Sequence, residues 1–297
     1  MFSRRSLIAA GIGAATASAG SAHAGDGKPG ADTTRALNDL AALEAKRGGR
    51  LGVSVLDTGT RRRLDYRADE RFALCSTHKF LTVAAILQQV DRGEMSLDRK
   101  VRFTGADLLS YAPITRQHVD AGAMTVDALA AATTAWSDNT AANLLLALVG
   151  GPTGWTRYAR SLGDGVSRLD RIEPALNSAI PDDPRDTTSP AAMVRDLDVV
   201  LLGKALSDAS RKRFETWMFD SKITDALLRA GMPEGWRVAD KSGAGENGTR
   251  NDIGMITRPG AAPLLAAVYY TQAPGDRAAH DRVLADAGRM IARAFAV

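Results

Sequence analysis

Strand periodicity occurs near both ends of this chain and is interrupted by a long helical block, an order that restricts the fold more than any other feature. Leu51-Gly52-Val53-Ser54-Val55-Leu56, a turn at Asp57-Thr58-Gly59, and Arg63-Leu64-Asp65-Tyr66 predict a hairpin. From about Phe80 to Arg213 the apolar residues recur at helical spacing. Phe80, Val83, Ala84, Leu87 and Val90 form one stripe, and Ala141, Leu144, Leu145 and Val149 another. Short strands return at Trp236–Ser242, Asp252–Thr257 and Leu264–Thr271, the last two joined by a turn containing Pro259-Gly260. Helices are predicted at both ends: residues 33–47, with Leu37, Leu40 and Leu43 on one face and a stop at Gly48-Gly49, and a final helix carrying Leu284, Ile291 and Phe295. The order points to an α+β fold, an α/β sandwich in which an antiparallel sheet is flanked by the N- and C-terminal helices and an all-helical lobe is inserted. Residues 25–67 with 219–297 are assigned to the α/β domain and residues 68–218 to the helical one. A cleft between the lobes is the natural place for a site.

Size agrees with two lobes, because single cores stop growing near ~250–300 residues and the chain has 297. The first 24 residues read as an export signal: a basic start, a mild apolar run from Leu7 to Ala15, and a small-residue end at Ala22-His23-Ala24. Ser3-Arg4-Arg5-Ser6 before an Ala/Gly-rich stretch resembles a twin-arginine signal, so cleavage after Ala24 and a periplasmic or secreted location are expected. The apolar run is too short and too glycine-rich to span a bilayer, and no later segment reaches ~18 uninterrupted apolar residues. Without Arg4 and Arg5 the formal charge of +4 falls to +2, and no basic run interleaved with aromatics marks a nucleic-acid surface. Cys75 is the only cysteine, which excludes an intramolecular disulfide and a cysteine zinc cluster. Beyond the leader, His78, His118 and His280 show no metal-binding spacing, so neither metal nor cofactor is expected.

Three short motifs carry chemistry. Ser76-Thr77-His78-Lys79 sets a hydroxyl and an amine three residues apart at the start of an amphipathic helix, hence on one face. A lysine there can take the serine proton, and the helix N-terminus offers positive potential where negative charge would develop on an attacked carbonyl. Alone the pattern is weak, since about one S-x-x-K match arises by chance in a chain of this composition. Ser137-Asp138-Asn139 precedes the Ala141 helix, where Ser or Asp serves as an ordinary N-cap. Lys241-Ser242-Gly243 lies on a predicted strand, where the glycine admits close approach of a substrate and the lysine is equally compatible with a guarded sheet edge.

Together, and in this order, the three motifs are the signature of the class A serine β-lactamases, which the chain closely resembles over roughly residues 33–297. The most specific stretch is Arg171-Ile172-Glu173-Pro174-Ala175-Leu176-Asn177, continuing through Ala179-Ile180-Pro181 to Arg185-Asp186-Thr187-Thr188. It is similar to that family's omega loop, residues 171–186 here, in which Arg171 and Asp186 would pair to close the neck and hold Glu173 over the site. Three prolines fit a compact surface loop.

The resemblance implies hydrolysis of the β-lactam ring of penicillins and cephalosporins through a serine acyl-enzyme, giving antibiotic resistance. Ser76 would be the nucleophile, with its own backbone N–H and that of Ala244 forming the oxyanion hole. Ser137, close to Lys79 and Lys241, would pass a proton to the leaving nitrogen, and Asn139 would orient Lys79 and the substrate amide. Glu173 and Asn177 would hold the deacylating water. Whether Lys79 or Glu173 is the base in acylation is disputed for the family. Lys241, Ser242, Gly243 and Arg250 would receive the substrate and its carboxylate, and Tyr111 would line the cleft wall or stand as an ordinary rim aromatic. The partners implied are small β-lactams, and the family expectation is a monomer.

Two positions depart from the family. His78 stands where phenylalanine is common, placing a titratable group beside Lys79 unless it is a buried neutral filler. Gly245 occupies the place where a carbapenem-hydrolysing subset has a cysteine partner for Cys75, so that disulfide is absent. Three competing functions fit the sequence less well. A D-alanyl-D-alanine peptidase on the same fold, or a serine glutaminase, would lack the Glu173 context, and a non-catalytic binding module would have lost one of the chemical positions.

Overall fold

The computed structural model describes residues 30–296, so the expected leader lies outside the described residues. Helix α1 (Ala31–Arg47) buries Ala36, Leu40 and Leu43 and ends where Gly48 and Gly49 take left-handed φ of 72° and 76°. A side chain on Gly49 would lie 2.8 Å from the Thr271 carbonyl oxygen, so both conformation and space require glycine there.

Strands β1 (Arg50–Asp57) and β2 (Arg63–Tyr66) form the predicted hairpin, with Val53 opposite Tyr66 and Leu56 opposite Arg63. After β3 (Phe72–Ala73) the chain enters the helical block: α2 (His78–Asp91), the small ribbon of β4 (Lys100–Arg102) and β5 (Ala123–Thr125), α3 (Val126–Ala135), α4 (Asn139–Leu148) and α5 (Gly151–Ser161). Then come β6 (Thr187–Thr188), which pairs with β3, α6 (Pro190–Leu197) and α7 (Asp208–Phe219). Strands β7 (Arg237–Gly245), β8 (Thr249–Arg258) and β9 (Ala261–Thr271) complete the sheet, and α8 (Arg277–Ala294) closes the chain.

The main sheet has the order β2-β1-β9-β8-β7, antiparallel throughout, so the two distant strand groups join where β9 pairs with β1. β9 shows why it reads as a nearly unbroken apolar run. Leu264, Ala266, Val268 and Tyr270 pack with α1 and α8, whereas Leu265, Ala267 and Tyr269 pack with the helical block. Side chains alternate across a strand, and both faces here are covered. Within the block every residue of α2 from His78 to Leu87 is buried, which makes it the central helix of that lobe.

Two details differ from expectation. β7 and β8 run on to Gly245 and back to Thr249, beyond the apolar segments that predicted them, because ladder bonds continue through polar residues. The pairs β3–β6 and β4–β5 interrupt the helical block and are too short to leave a periodic signal. No helix among the described residues is long and apolar enough to cross a membrane.

Candidate active site

Ser76 sits in a 3₁₀ turn, Cys75–Thr77, that leads directly into α2. This turn is tied to its surroundings: Thr77 Oγ1 donates to the Leu74 carbonyl at 2.7 Å, and Asn251 Nδ2 donates to the Ala73 carbonyl at 2.8 Å. Lys79 lies in the first turn of α2, and its Nζ donates to Ser76 Oγ at 2.9 Å, so the spacing of the motif does bring hydroxyl and amine together.

The Lys79 ammonium is wholly buried among five acceptors: Ser76 Oγ at 2.9 Å, the Ser137 carbonyl at 2.9 Å, Ser137 Oγ at 3.2 Å, Asn139 Oδ1 at 2.6 Å and Glu173 Oε1 at 2.9 Å. An ammonium has three protons, so these contacts compete and the proton can be redirected among them. Burial pushes the Lys79 pKa below the ordinary lysine value, against the opposing pull of Glu173.

The choice between cap and chemistry at Ser137-Asp138-Asn139 resolves by division of labour. Asp138 is the N-cap of α4, accepting from the Ala141 N–H at 2.9 Å, and it also takes the N–H groups of Ile114 and Thr115. Ser137 is thereby left at the cleft with φ of 57°, its Oγ accepting from Lys241 Nζ at 3.0 Å. Lys241 is only 1% exposed, so although β7 is a sheet edge the lysine does not guard it against solvent. Burial, reinforced by Lys79, pushes the Lys241 pKa well below its usual value, and Asp252 and Asp240 oppose that shift.

Glu173 reaches the same point from the opposite wall. Its Oε1 accepts from Ser76 Oγ at 3.2 Å and contacts Lys79, while Oε2 accepts from Asn177 Nδ2 at 2.5 Å. Burial acts against the carboxylate, but Lys79 and His78 prevail and hold it below the usual range. The loop is closed at its neck by Arg171 Nε donating to Asp186 Oδ2 at 2.6 Å. It is fastened to the sheet where the Glu246 N–H donates to the Asn177 carbonyl at 2.8 Å and Asn247 Nδ2 to the Ser178 carbonyl at 3.0 Å.

These groups open on a cleft of about 310 Å³ lined by Ser76, Tyr111, Ser137, Asn139, Asn177 and, from β7 and β8, Ser242, Gly243, Ala244 and Arg250. Arg250 is buried and oriented by its Nε bond to Asp281 Oδ1 at 2.6 Å and by the Gly243 carbonyl at 3.2 Å. Tyr111 is 44% exposed, with its hydroxyl on the Trp136 carbonyl, and so belongs to the wall and not to the core. Gly243 lines the cleft and also lies close to the nucleophile turn. A side chain there would meet the Leu74 carbonyl at 3.1 Å and Cys75 Cβ at 3.3 Å, so its smallness admits the nucleophile turn. Likewise a side chain on Gly245 would meet Cys75 Sγ and the Asn177 carbonyl, each at 2.6 Å. A larger hollow of about 570 Å³ behind the omega loop holds no nucleophile, and its Arg50 and Arg185 are paired with Glu70 and Asp183.

The motifs did not reveal Asn143, Asp281 or Arg277. Asn143 clamps Glu173 by its backbone, Nδ2 donating to the Glu173 carbonyl at 2.9 Å and Oδ1 accepting its N–H at 3.0 Å. Its position four residues beyond Asn139, on the same face of α4, was the available signal. Arg277 lines the cleft from the start of α8 and had no signal at all.

A hydroxyl in contact with a buried lysine and a carboxylate, on a turn that opens a helix and beside a second serine held between two lysines, is the grouping of a serine hydrolase. A model of the β-lactamase enzyme family matches residues 33–295. The chain is 46% identical to β-lactamase CTX-M-8 of Citrobacter amalonaticus, across 85% of this chain and 86% of that protein. It is 43% identical to a β-lactamase of Citrobacter koseri across 98% and 99% of the two chains. Among solved structures it is similar to an ancestral class A β-lactamase, with TM-score 0.86, 52% identity, and coverage of 88% of this chain and 100% of the other. The chain belongs to the β-lactamase enzyme family, in its class A serine branch.

Proposed function

We propose that this class A β-lactamase opens the β-lactam ring of penicillins and cephalosporins through an acyl-enzyme on Ser76, and so confers resistance to them. Ser76 Oγ attacks the lactam carbonyl as its proton passes to Glu173 Oε1, or to Lys79 Nζ where the ammonium has first given a proton to Glu173. The backbone N–H groups of Ser76 and Ala244 receive the oxyanion. As the C–N bond breaks, Ser137 Oγ, which sits between Lys79 and Lys241, donates a proton to the leaving nitrogen and recovers one from a lysine. Lys241, Ser242 and Arg250 hold the substrate carboxylate while Asn139 and Tyr111 position its side chain. In deacylation Glu173 takes a proton from a water that Asn177 helps to hold as its oxygen attacks the ester carbonyl; the bond from Ser76 Oγ to the acyl carbon then breaks, and the proton returns from Glu173 to Ser76 Oγ.

The contact of Glu173 with the Ser76 hydroxyl carries this reading. It supplies a base for deacylation, which a peptidase that remains acylated by penicillin lacks. Glu173→Ala is expected to take up penicillin on Ser76 and release it very slowly, giving a persistent adduct in intact-mass spectra. Ser76→Ala is expected to give none. Normal turnover by the first variant, or labelling of the second, refutes the assignment.

We further propose that residues 25–67 with 219–297 act as the α/β domain and residues 68–218 as the helical one. The separate hydrophobic clusters on the two faces of the sheet support this division. Residues 1–24 would direct export to the periplasm or beyond, by the twin-arginine route, with the mature enzyme acting as a monomer.

A further inference from the structure

His78 is wholly buried in the first turn of α2, between a hydroxyl and a carboxylate. Its Nδ1 lies 3.2 Å from Thr82 Oγ1, whereas its Nε2 approaches Glu173 Oε1 at 3.4 Å and is left without a hydrogen-bond partner. Only one neutral tautomer serves both ends. An ionised carboxylate can only accept, so Nε2 carries the proton, and Nδ1 accepts from the Thr82 hydroxyl, which can donate in either direction. The helix cannot roll to change this, because Trp155 Nε1 donates to the His78 carbonyl at 2.9 Å.

We infer that His78 is a positioning residue for Glu173, its unpartnered Nε2–H placed to take hold of Oε1 and keep it aimed as a base once Lys79 has given up its proton. The inference rests on Glu173 being the deacylation base. Oε1 is shared with Lys79 at 2.9 Å, and Lys79 is also claimed by Ser76, Ser137 and Asn139. At 3.4 Å the imidazole approaches Oε1 without closing a hydrogen bond while the ammonium is present. When Lys79 gives its proton to the Ser137 relay, Oε1 loses its cation, and the imidazole is the donor that remains fixed beside it.

The ionisable groups around this pair are Cys75 and Lys79 from the same segment, Lys241 from β7 and, beyond Lys79, Asp138 at the head of α4. Burial pushes the imidazole below its ordinary pKa; Glu173 opposes this, and Lys79 and Lys241 reinforce it. The ring therefore stays neutral and its Nε2–H is retained where Glu173 must work.

The test is the pH profile of deacylation, measured by single-turnover mass spectrometry on the full mature enzyme. His78→Phe and His78→Asn are expected to move the acid limb up by roughly half to one pH unit, because a donor to the charged form is lost. His78→Gln, whose amide nitrogen reaches about as far as Nε2, is expected to restore the limb. Should the phenylalanine variant not fold, the asparagine and glutamine pair decides. An unmoved limb in His78→Asn overturns the inference. Nitrogen NMR of labelled histidine is expected to show Nε2 protonated and Nδ1 bare at neutral pH, and an imidazolium there would overturn it also. Failure here remains distinct from failure of the base assignment. If Glu173→Ala traps the acyl-enzyme while His78→Asn keeps the native limb, only the role of His78 falls.

Discussion

Truncating Asp186 to alanine removes the clasp of the omega loop and should separate stability from chemistry in a measurable way. Asp186 Oδ1 accepts the backbone N–H groups of Asp170 at 2.7 Å and Arg171 at 2.9 Å, and Oδ2 takes Arg171 Nε at 2.6 Å. The side chain is 1% exposed, so alanine leaves two backbone donors facing a space that held their charged acceptor. Each such bond is worth about 1.5–3 kcal/mol. Arg171 is 22% exposed and can turn to water, so the ion pair itself adds little. The expected loss is therefore about 3–5 kcal/mol, a fall in melting temperature on the order of 10 °C for a chain of this size. The catalytic consequence is selective. Ser76, Lys79 and Lys241 are held by α2 and β7, whereas Glu173 rides on the loop, so deacylation should slow far more than acylation. Stopped-flow mixing with a chromogenic cephalosporin is expected to show a burst approaching the enzyme concentration, followed by slow release. A melting temperature within about 1 °C of the parent, or acylation and deacylation slowed in equal proportion, would refute the reasoning.

Two other substitutions test the packing around the site. Asp196 is buried with both carboxyl oxygens unpartnered, and burial together with the Asp164 carboxylate pushes its pKa well above the usual value. The folded protein then keeps a proton that the unfolded chain gives up near pH ~3.9. Stability is accordingly lost as pH rises from there to the folded-state value. Asp196→Asn removes that loss, so its melting temperature should exceed the parent's by an increment that grows above about pH 4, and a variant less stable at neutral pH contradicts the assignment. Gly254 faces Asp240 across the ladder, and a side chain there would lie 2.1 Å from the Ala239 carbonyl oxygen. Backbone cannot yield as a side chain can, so Gly254→Ala should destabilise by about 3 kcal/mol in urea unfolding and disturb Lys241 on the neighbouring strand β7. A loss under about 1 kcal/mol would mean that the sheet relaxes more freely than its register indicates.

The parts of the fold that were legible in the sequence are those where burial imposes a period. α1, the β1–β2 hairpin, β9 and α8 each place apolar residues at the spacing their packing demands, and each was located to within a few residues. Contacts made by backbone, or by polar side chains far apart in sequence, leave no period. Asn143 holding the Glu173 backbone, Asn247 fastening the omega loop and Asn251 pinning the nucleophile turn are amides whose partners lie 30, 69 and 178 residues away. Glycines were legible as glycines but not in purpose. The sequence around Gly243 suggests room for substrate and gives no sign that its missing side chain also admits the turn that carries Ser76. The motifs fared best because their order along the chain, combined with the omega-loop stretch, carried information that no single match contained.

Several residues in and around the site hold left-handed backbone. Cys75, Ser137, Ala179 and Asp186 hold φ of 44°, 57°, 44° and 55°, a region that side chains other than glycine seldom occupy. Each is stabilised by neighbours that leave it little alternative. Cys75 is enclosed between Gly243 and Gly245, and Ser137 is anchored through the capping bonds of Asp138 next to it. Asn247 holds the carbonyl of Ala179, and the Asp186 side chain is bound by the opposite strand of the loop neck. Such conformations cost about 1–3 kcal/mol each and persist only where the surroundings over-determine them. The buried amides and carboxylates around the cleft are therefore more than a polar lining. They fix the backbone that aims Ser76, Ser137 and Glu173 at one point, so the same substitutions that relieve strain should stabilise the protein and loosen the geometry on which its chemistry depends.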